Sequence, residues 1–183
     1  MKRGFLIPAV FALISVFLFA GCFGVEGNFK SIRNDLLSAA GTHYRTDIEF
    51  SLGKFGIGIA KEIIRHDNNN EDAKEILKHI SKVQIGVYKN HSRMMPEFKA
   101  SFIKKADEEM ERHGWESIIK NFGKRELNII YVQNENSGRL SEIFVINMNR
   151  RELTLVEVSG NLNEVITYII KEKGLGFQYA SAR

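Results

Sequence analysis

Residues 126–159, ELNIIYVQNENSGRLSEIFVINMNRRELTLVEVS, contain three short runs rich in β-branched and aromatic residues, separated by polar segments. The first of these segments, 134–139, contains Gly138, and the second, 149–151, has only three residues. Apolar runs bounded by short polar turns are typical of β-hairpins. A fourth run, 115–122, comes just before them and is linked to the first by residues 123–125 (GKR). We therefore predict four consecutive strands, at 115–122, 126–133, 142–149 and 152–159.

The pattern changes on both sides of these strands. In several segments apolar residues recur every three or four positions, which indicates amphipathic helices, and in two others they alternate with polar residues, which indicates strands. The predicted helices are 29–40, 54–65, a helix capped by Asn70, 96–113, and a helix capped by Asn161 that ends at Gly174; the predicted strands are 46–52 and 83–88. Helices that bury one stripe on one face of a mostly antiparallel sheet make a two-layer α+β domain, which is the predicted fold class.

The predicted elements also suggest which side chains are buried. We expect the apolar stripes to be used for core packing, although the stripe that contains Phe29 in helix 29–40 also suits contact with a membrane surface. Trp115, between a helix and a strand, is predicted to fill the core. On strand 152–159 we place Val156 and Val158 toward the helices, and Thr154 and Glu157 toward the wetter side.

A different signal precedes the predicted domain. Lys2 and Arg3 are followed by an apolar run at 5–20 and then by 19–22 (FAGC), which ends in the only cysteine of the chain. A basic start, a short apolar stretch and small residues before a cleavage point are typical of a signal peptide. This arrangement predicts a lipoprotein signal, with Cys22 as the lipidated first residue of the mature chain. An ordinary secretory peptide and an uncleaved N-terminal anchor are the alternatives.

The predicted organisation follows from this signal. It comprises a signal peptide at 1–21, a lipidated tether at 22–28, a single α+β domain at 29–174 and a flexible tail at 175–183. Two or more fatty-acyl chains, such as palmitate, anchor a protein stably to a membrane. We expect a lipid-anchored envelope protein that faces the periplasm, in the outer membrane where the organism has one.

The charged residues argue against one class of partner. Loss of Lys2 and Arg3 with the leader lowers the net charge from +4 to +2. The sequence has no basic stripe interleaved with aromatic residues, so we predict no binding to nucleic acid.

The sequence contains no local constellation of catalytic or metal-binding residues. Its five histidines are far apart, and none forms a His-x-x-x-His pair. Segment 67–78 has the first spacings of a calcium loop, but Asp72 and Lys78 stand where that loop needs Gly and Glu. We therefore predict no enzymatic activity, no cofactor and no metal site. Folding could still bring His91, His113 and a carboxylate together.

Three features resemble a known family. They are the leader with Cys22, the strand at 83–88 (VQIGVY) with the later segment 114–116 (GWE), and the run 155–162 (LVEVSGNL). In these the chain resembles domain of unknown function family 4252, a family of bacterial envelope proteins. The resemblance implies a small exported lipoprotein, and it supplies no catalytic residue.

Two functions remain open at this point. The first is a non-enzymatic envelope lipoprotein that binds a partner protein, in envelope assembly or in stress sensing. The second is a periplasmic binder or carrier of a small apolar ligand. A filled core with an exposed apolar patch would favour the first, and a deep apolar pocket would favour the second.

Overall fold

The computed structural model describes residues 24–40, 44–65, 71–91, 100–123, 126–135 and 137–173. Cys22, His43, His66, the predicted caps Asn70 and Gly174, and the predicted tail 175–183 lie outside these ranges. The helices are α1 (Gly27–Ala40), α2 (Lys54–Arg65), α3 (Glu71–His79), α4 (Ala100–Arg112) and α5 (Leu162–Lys173). The strands are β1 (Tyr44–Leu52), β2 (Ile80–Asn90), β3 (Glu116–Phe122), β4 (Glu126–Asn134), β5 (Leu140–Asn149) and β6 (Glu152–Gly160).

The six strands form one sheet in the order β1-β2-β6-β5-β4-β3, and every neighbouring pair is antiparallel. Strands β3 to β6 follow one another as a meander, as the alternating runs predict. The antiparallel pair of β1 and β2, between which α2 and α3 lie in the chain, joins the meander through β2, which pairs with β6. The α+β class and the antiparallel sheet are therefore confirmed.

Helices α1 and α4 cover one face of the sheet and contact each other. Phe29, Ile32 and Leu36 of α1 have no exposed surface, so its apolar stripe is used for core packing. Helix α4 ends in a Schellman-type turn, in which the Trp115 amide donates to the Met110 carbonyl and Gly114 adopts a positive φ of 80°. The rest of the main core comes from α4, from Trp115 between α4 and β3, and from alternate residues of the strands. Its members are Tyr88, Phe102, Ala106, Met110, Trp115, Leu127, Ile129, Tyr131, Phe144, Ile146, Met148, Leu153 and Leu155.

Trp115 fills the core as predicted. Its side chain is 2% exposed, and its ring meets that of Phe144 edge-on at 5.6 Å between centroids.

Among the described residues, the other face of the sheet is covered only near one end. There α2, α3 and α5 form a second, smaller cluster around Ile57, Ile80 and Leu162. The sheet residues of this cluster include Val83 and Val158, which alternate along their strands with residues of the main core. Helices therefore pack on both faces of the sheet rather than on one, which corrects the two-layer prediction.

The predicted orientation of β6 is wrong for Glu157. Leu153, Leu155 and Glu157 point toward α1 and α4, and Glu157 is only 2% exposed. The placement of Thr154 is also wrong, since it lies on the same face as Val156 and Val158. Period-two alternation holds along the whole strand. Both faces of β6 carry apolar residues, so the alternation alone did not determine which set enters the main core.

The folded body begins before the predicted domain boundary. Val25, assigned above to the tether, is 3% exposed and belongs to the main core. Helix α1 is tied to the sheet by Arg33, whose guanidinium lies 2.6 Å from the Glu49 carboxylate. Tyr88 donates to the same carboxylate oxygen at 2.8 Å. Gly86 makes room for this contact, since a Cβ there would lie 2.2 Å from the Tyr88 hydroxyl.

Candidate protein-binding face

One row of apolar side chains crosses the whole sheet on the face opposite α1 and α4. The register pairs Phe50 with Ile85, Ile85 with Val156, and Val156 with Val145. It continues from Val145 to Ile130 and from Ile130 to Ile119. We call these six residues the apolar row: Phe50, Ile85, Val156, Val145, Ile130 and Ile119.

The apolar row lies outside both hydrophobic clusters of the described residues. Five of its side chains are half-buried, and Ile119 at the edge is 49% exposed. The neighbouring row on one side is covered by α2, α3 and α5; its residues are Leu52, Val83, Val158 and Ile143. Among the described residues, the helix layer thus ends beside the apolar row and leaves it open on the sheet surface.

The row on the other side changes from apolar to polar across the sheet. Ile48 and Val87 are paired at the β1 end, and Ile48 is 50% exposed. Toward β4 the row continues with Asn147 and Asn128, whose amide side chains hydrogen-bond to each other. The apolar row therefore has a covered apolar border on one side and a partly polar rim on the other.

Helix α2 exposes a second apolar surface. Phe55, Ile59 and Ile63, the stripe that predicted this helix, are 80%, 48% and 68% exposed. The residue that anchors α2 in the second cluster is Ile57, at 3%. The expectation that apolar stripes are used for packing is therefore wrong for α2. The same holds in part for α5, where Ile166 and Ile170 are exposed.

The charged residues near this face are mainly basic at one end of the sheet. Arg45 pairs in register with Lys89, and Lys89 with Glu152. Lys89 also forms an ion pair of 2.8 Å with Asp47. The exposed turn between β5 and β6 adds two further basic residues, Arg150 and Arg151.

A buried polar network lies on the opposite face of the sheet. It contains Glu157, which the sequence analysis placed on the solvent-facing side. Gln84 donates to Glu157 at 2.9 Å, and the Lys82 ammonium lies 3.0 Å from the same carboxylate oxygen. Lys82 also bonds to Glu26 at 2.8 Å, just before α1. Burial alone would lower the pKa of Lys82, but the hydrogen bonds to Glu26 and Glu157 outweigh it and raise this pKa. The network holds the N-terminal segment against the sheet.

A cavity among the described residues does not resemble a site for an apolar ligand. It has a volume of about 670 Å³ and lies at the end of the sheet near α2 and α3. Its lining is mostly polar and includes Lys54, Lys61, Lys78 and Glu142, with Ile57 and Ile80 as its apolar members. Sites for small apolar ligands are lined mainly by apolar and aromatic side chains.

The structure also shows where the described histidines lie. His113 meets two carboxylates, Asp35 of α1 and Glu109 of α4, and one potential ligand atom from each lies within 4.8 Å of the others. The sequence suggested that His113 and a carboxylate could converge, but it paired His113 with His91. His91 is exposed after β2 and is not in this cluster.

The comparison with protein families matches the sequence to a defined group. The family described as Domain of unknown function (DUF4252) matches residues 45–165, which is more than half of the chain. The chain belongs to this family. The DUF4252 match runs from β1 into α5, so it contains the whole apolar row and leaves out α1.

The other comparisons add no relative. No curated protein and no solved structure matches the chain. Within the part of the chain that the structure describes, no helix has the length and apolar character needed to cross a bilayer.

Proposed function

We propose that this DUF4252 protein is an exported lipoprotein, anchored through Cys22, whose domain binds a partner protein on the apolar row. The observation that carries the proposal is the open apolar row beside a helix-covered one on the same sheet face. A sheet face with apolar side chains is stable when another layer covers it. A contiguous apolar patch on a folded surface is a common mark of a protein interface.

The shape of the row favours a helix as the bound element. Six strands spaced about 4.8 Å apart make the row about 24 Å wide. An α-helix rises about 1.5 Å per residue, so about 16 residues would span it. Helices α2, α3 and α5 already cover the adjacent row, and a bound helix would extend that layer.

The charge distribution adds a second requirement for the partner. Arg45, Arg150 and Arg151 lie at one end of the sheet near this face, where Asp47 and Glu152 offset only part of their charge. We therefore propose an amphipathic partner helix. Its apolar stripe meets the apolar row, and acidic residues lie along the side of the helix that faces the basic end of the sheet. Complementary charges of this kind orient a partner and accelerate association.

The competing ligand-carrier function has less support. The core between the sheet and the helices α1 and α4 is filled by side chains with little or no exposure. The 670 Å³ cavity is open and mostly polar. Both observations are more compatible with a binding surface than with an internal apolar ligand site.

The experiment places a photoreactive amino acid, benzoylphenylalanine, at Ile119 or at Phe122 of the full chain in the cells that produce it. Both residues lie on the edge strand β3 with similar exposure, 49% and 53%, but on opposite faces of the sheet. We expect an adduct from position 119 with a different protein, mapped by mass spectrometry to an amphipathic helix, and little adduct from position 122. A dimer of the chain, an adduct with lipid alone, or equal labelling at both positions would contradict the proposal.

The lipid anchor has its own test. We expect Cys22→Ser to abolish labelling with a fatty-acid analogue and to release the protein from membranes, because the thiol is the proposed attachment atom. The measurement is click labelling of the full chain combined with membrane fractionation. Unchanged labelling and fractionation of the variant would refute the lipid anchor. That result would not bear on the proposed protein-binding face.

A further inference from the structure

A mixed histidine-carboxylate cluster lies between α1 and α4, on the face of the sheet opposite the apolar row. Potential ligand atoms of Asp35, Glu109 and His113 all lie within 4.8 Å of one another. We propose that these three residues bind a divalent first-row transition metal ion, with zinc as the representative ion. The proposal is independent of the partner-binding function.

The local structure explains why the three side chains converge. Glu109 lies in the last turn of α4, and His113 directly follows the helix. The His113 amide donates to the Glu109 carbonyl at 3.3 Å, so the two side chains lie one turn apart on the same side. Asp35 comes from α1, directly before Leu36, which is fully buried in the core. Because α1 and α4 pack against each other, a bound ion would join two helices that are far apart in the sequence.

One carboxylate oxygen of Glu109 has no partner among the described residues. Its side chain is 14% exposed, and Arg112 forms an ion pair with one carboxylate oxygen. The other oxygen, Oε2, is buried and accepts no hydrogen bond from the described residues. A buried charged oxygen without a partner is costly, and a cation would offset that cost.

The chemistry of the three groups indicates the class of ion. An imidazole nitrogen with two carboxylate oxygens suits transition ions such as Zn²⁺, Mn²⁺ or Fe²⁺, whereas Ca²⁺ and Mg²⁺ prefer oxygen ligands alone. Three protein ligands leave a coordination position for water, as in zinc sites that have an open position. All three side chains are half-buried, so an ion can reach the site from solvent.

The test uses the untagged full chain in detergent, with Cys22→Ser in every sample so that the thiol cannot bind metal. Zinc binding is measured by calorimetry, and Co²⁺ absorption spectra report the ligand set. The site variants are Asp35→Asn, Glu109→Gln and His113→Ala. The matched controls are Glu108→Gln, an exposed neighbour on α4, and His91→Ala.

We expect one equivalent of Zn²⁺ to bind and to raise the melting temperature of the parent and both controls. Each site variant should raise the Kd at least tenfold, since loss of even an outer-shell partner costs about 10–100-fold. The Asn and Gln variants keep side-chain shape, so they remain informative if His113→Ala does not fold. Absence of binding, or equal Kd values for Asp35→Asn, Glu109→Gln and the controls, would overturn the proposal.

Discussion

Two buried tyrosines of the sheet each donate a hydrogen bond to a carboxylate on a neighbouring element. Tyr131 donates to Asp107 of α4 at 2.9 Å, and Tyr88 donates to Glu49 of β1 at 2.8 Å. Burial, and then the hydrogen bond to a carboxylate, raises the pKa of each phenol well above its usual value near 10. The neutral phenol is therefore the form that the fold stabilises.

This shift predicts a loss of stability at alkaline pH. The unfolded tyrosines ionise near pH 10, so their contribution is complete below about pH 10 and declines as the pH rises toward the raised folded pKa values. We expect the free energy of unfolding, measured by urea titration, to fall steadily between about pH 10 and 11.5.

The control is the double variant Tyr88→Phe/Tyr131→Phe. It should be less stable at pH 8 by about 1 kcal/mol for each lost hydrogen bond. Its stability should also depend less on alkaline pH, with Lys82, whose pKa is raised as well, still contributing. The same alkaline slope in the double variant and the parent would show that other groups cause it.

Helix α2 has apolar residues on two sides, one packed in the second cluster and the other exposed. Its apolar residues recur at helical spacing, and the helix forms at the predicted bounds, Lys54–Arg65. The regular stripe that contains Phe55 and Ile59 faces away from the second cluster, while Ile57 alone is fully buried. Periodicity predicts a helix, but it does not say which of two apolar stripes meets the sheet.

Alanine substitutions on α2 separate the two stripes. Ile57→Ala should lower the free energy of unfolding by about 2–5 kcal/mol, because it leaves a cavity in the second cluster. Ile59→Ala and Ile63→Ala, at exposed positions, should change it by less than about 0.5 kcal/mol. Urea denaturation of the three variants measures this difference. A loss at Ile63 as large as that at Ile57 would mean that the exposed stripe is packed in solution.

At the scale of the whole molecule, the order of the elements could be predicted from the sequence, because alternation and helical periodicity are local properties. The meander and most element bounds are observed within a few residues of the prediction. The sequence could not predict which face of the sheet packs against α1 and α4, because β6 has apolar residues on both faces, Leu155 on one and Val156 on the other. Glu157 was placed on the solvent-facing side because the partners that make its burial possible, Gln84 and Lys82, are more than 70 residues away in the chain.

The candidate sites depend on contacts that local patterns do not contain. The apolar row crosses the whole sheet because β2 pairs not only with β1 but also with β6, which lies far along the chain. The histidine-carboxylate cluster exists because α1 packs against α4, which brings Asp35 to His113. A histidine and a glutamate four residues apart, Glu109 and His113, were the one local signal of that cluster in the sequence.

The central claim is that the apolar row binds a helix, and an affinity comparison tests it most directly. A synthetic peptide of the helix identified by photocrosslinking is titrated into the full chain, and the Kd is compared for Ile119→Glu and Phe122→Glu. These changes place the same charge on opposite faces of one strand. The account predicts that Ile119→Glu raises the Kd at least tenfold, about 1.4 kcal/mol, and that Phe122→Glu leaves it within twofold. Equal Kd values for the two variants would contradict it.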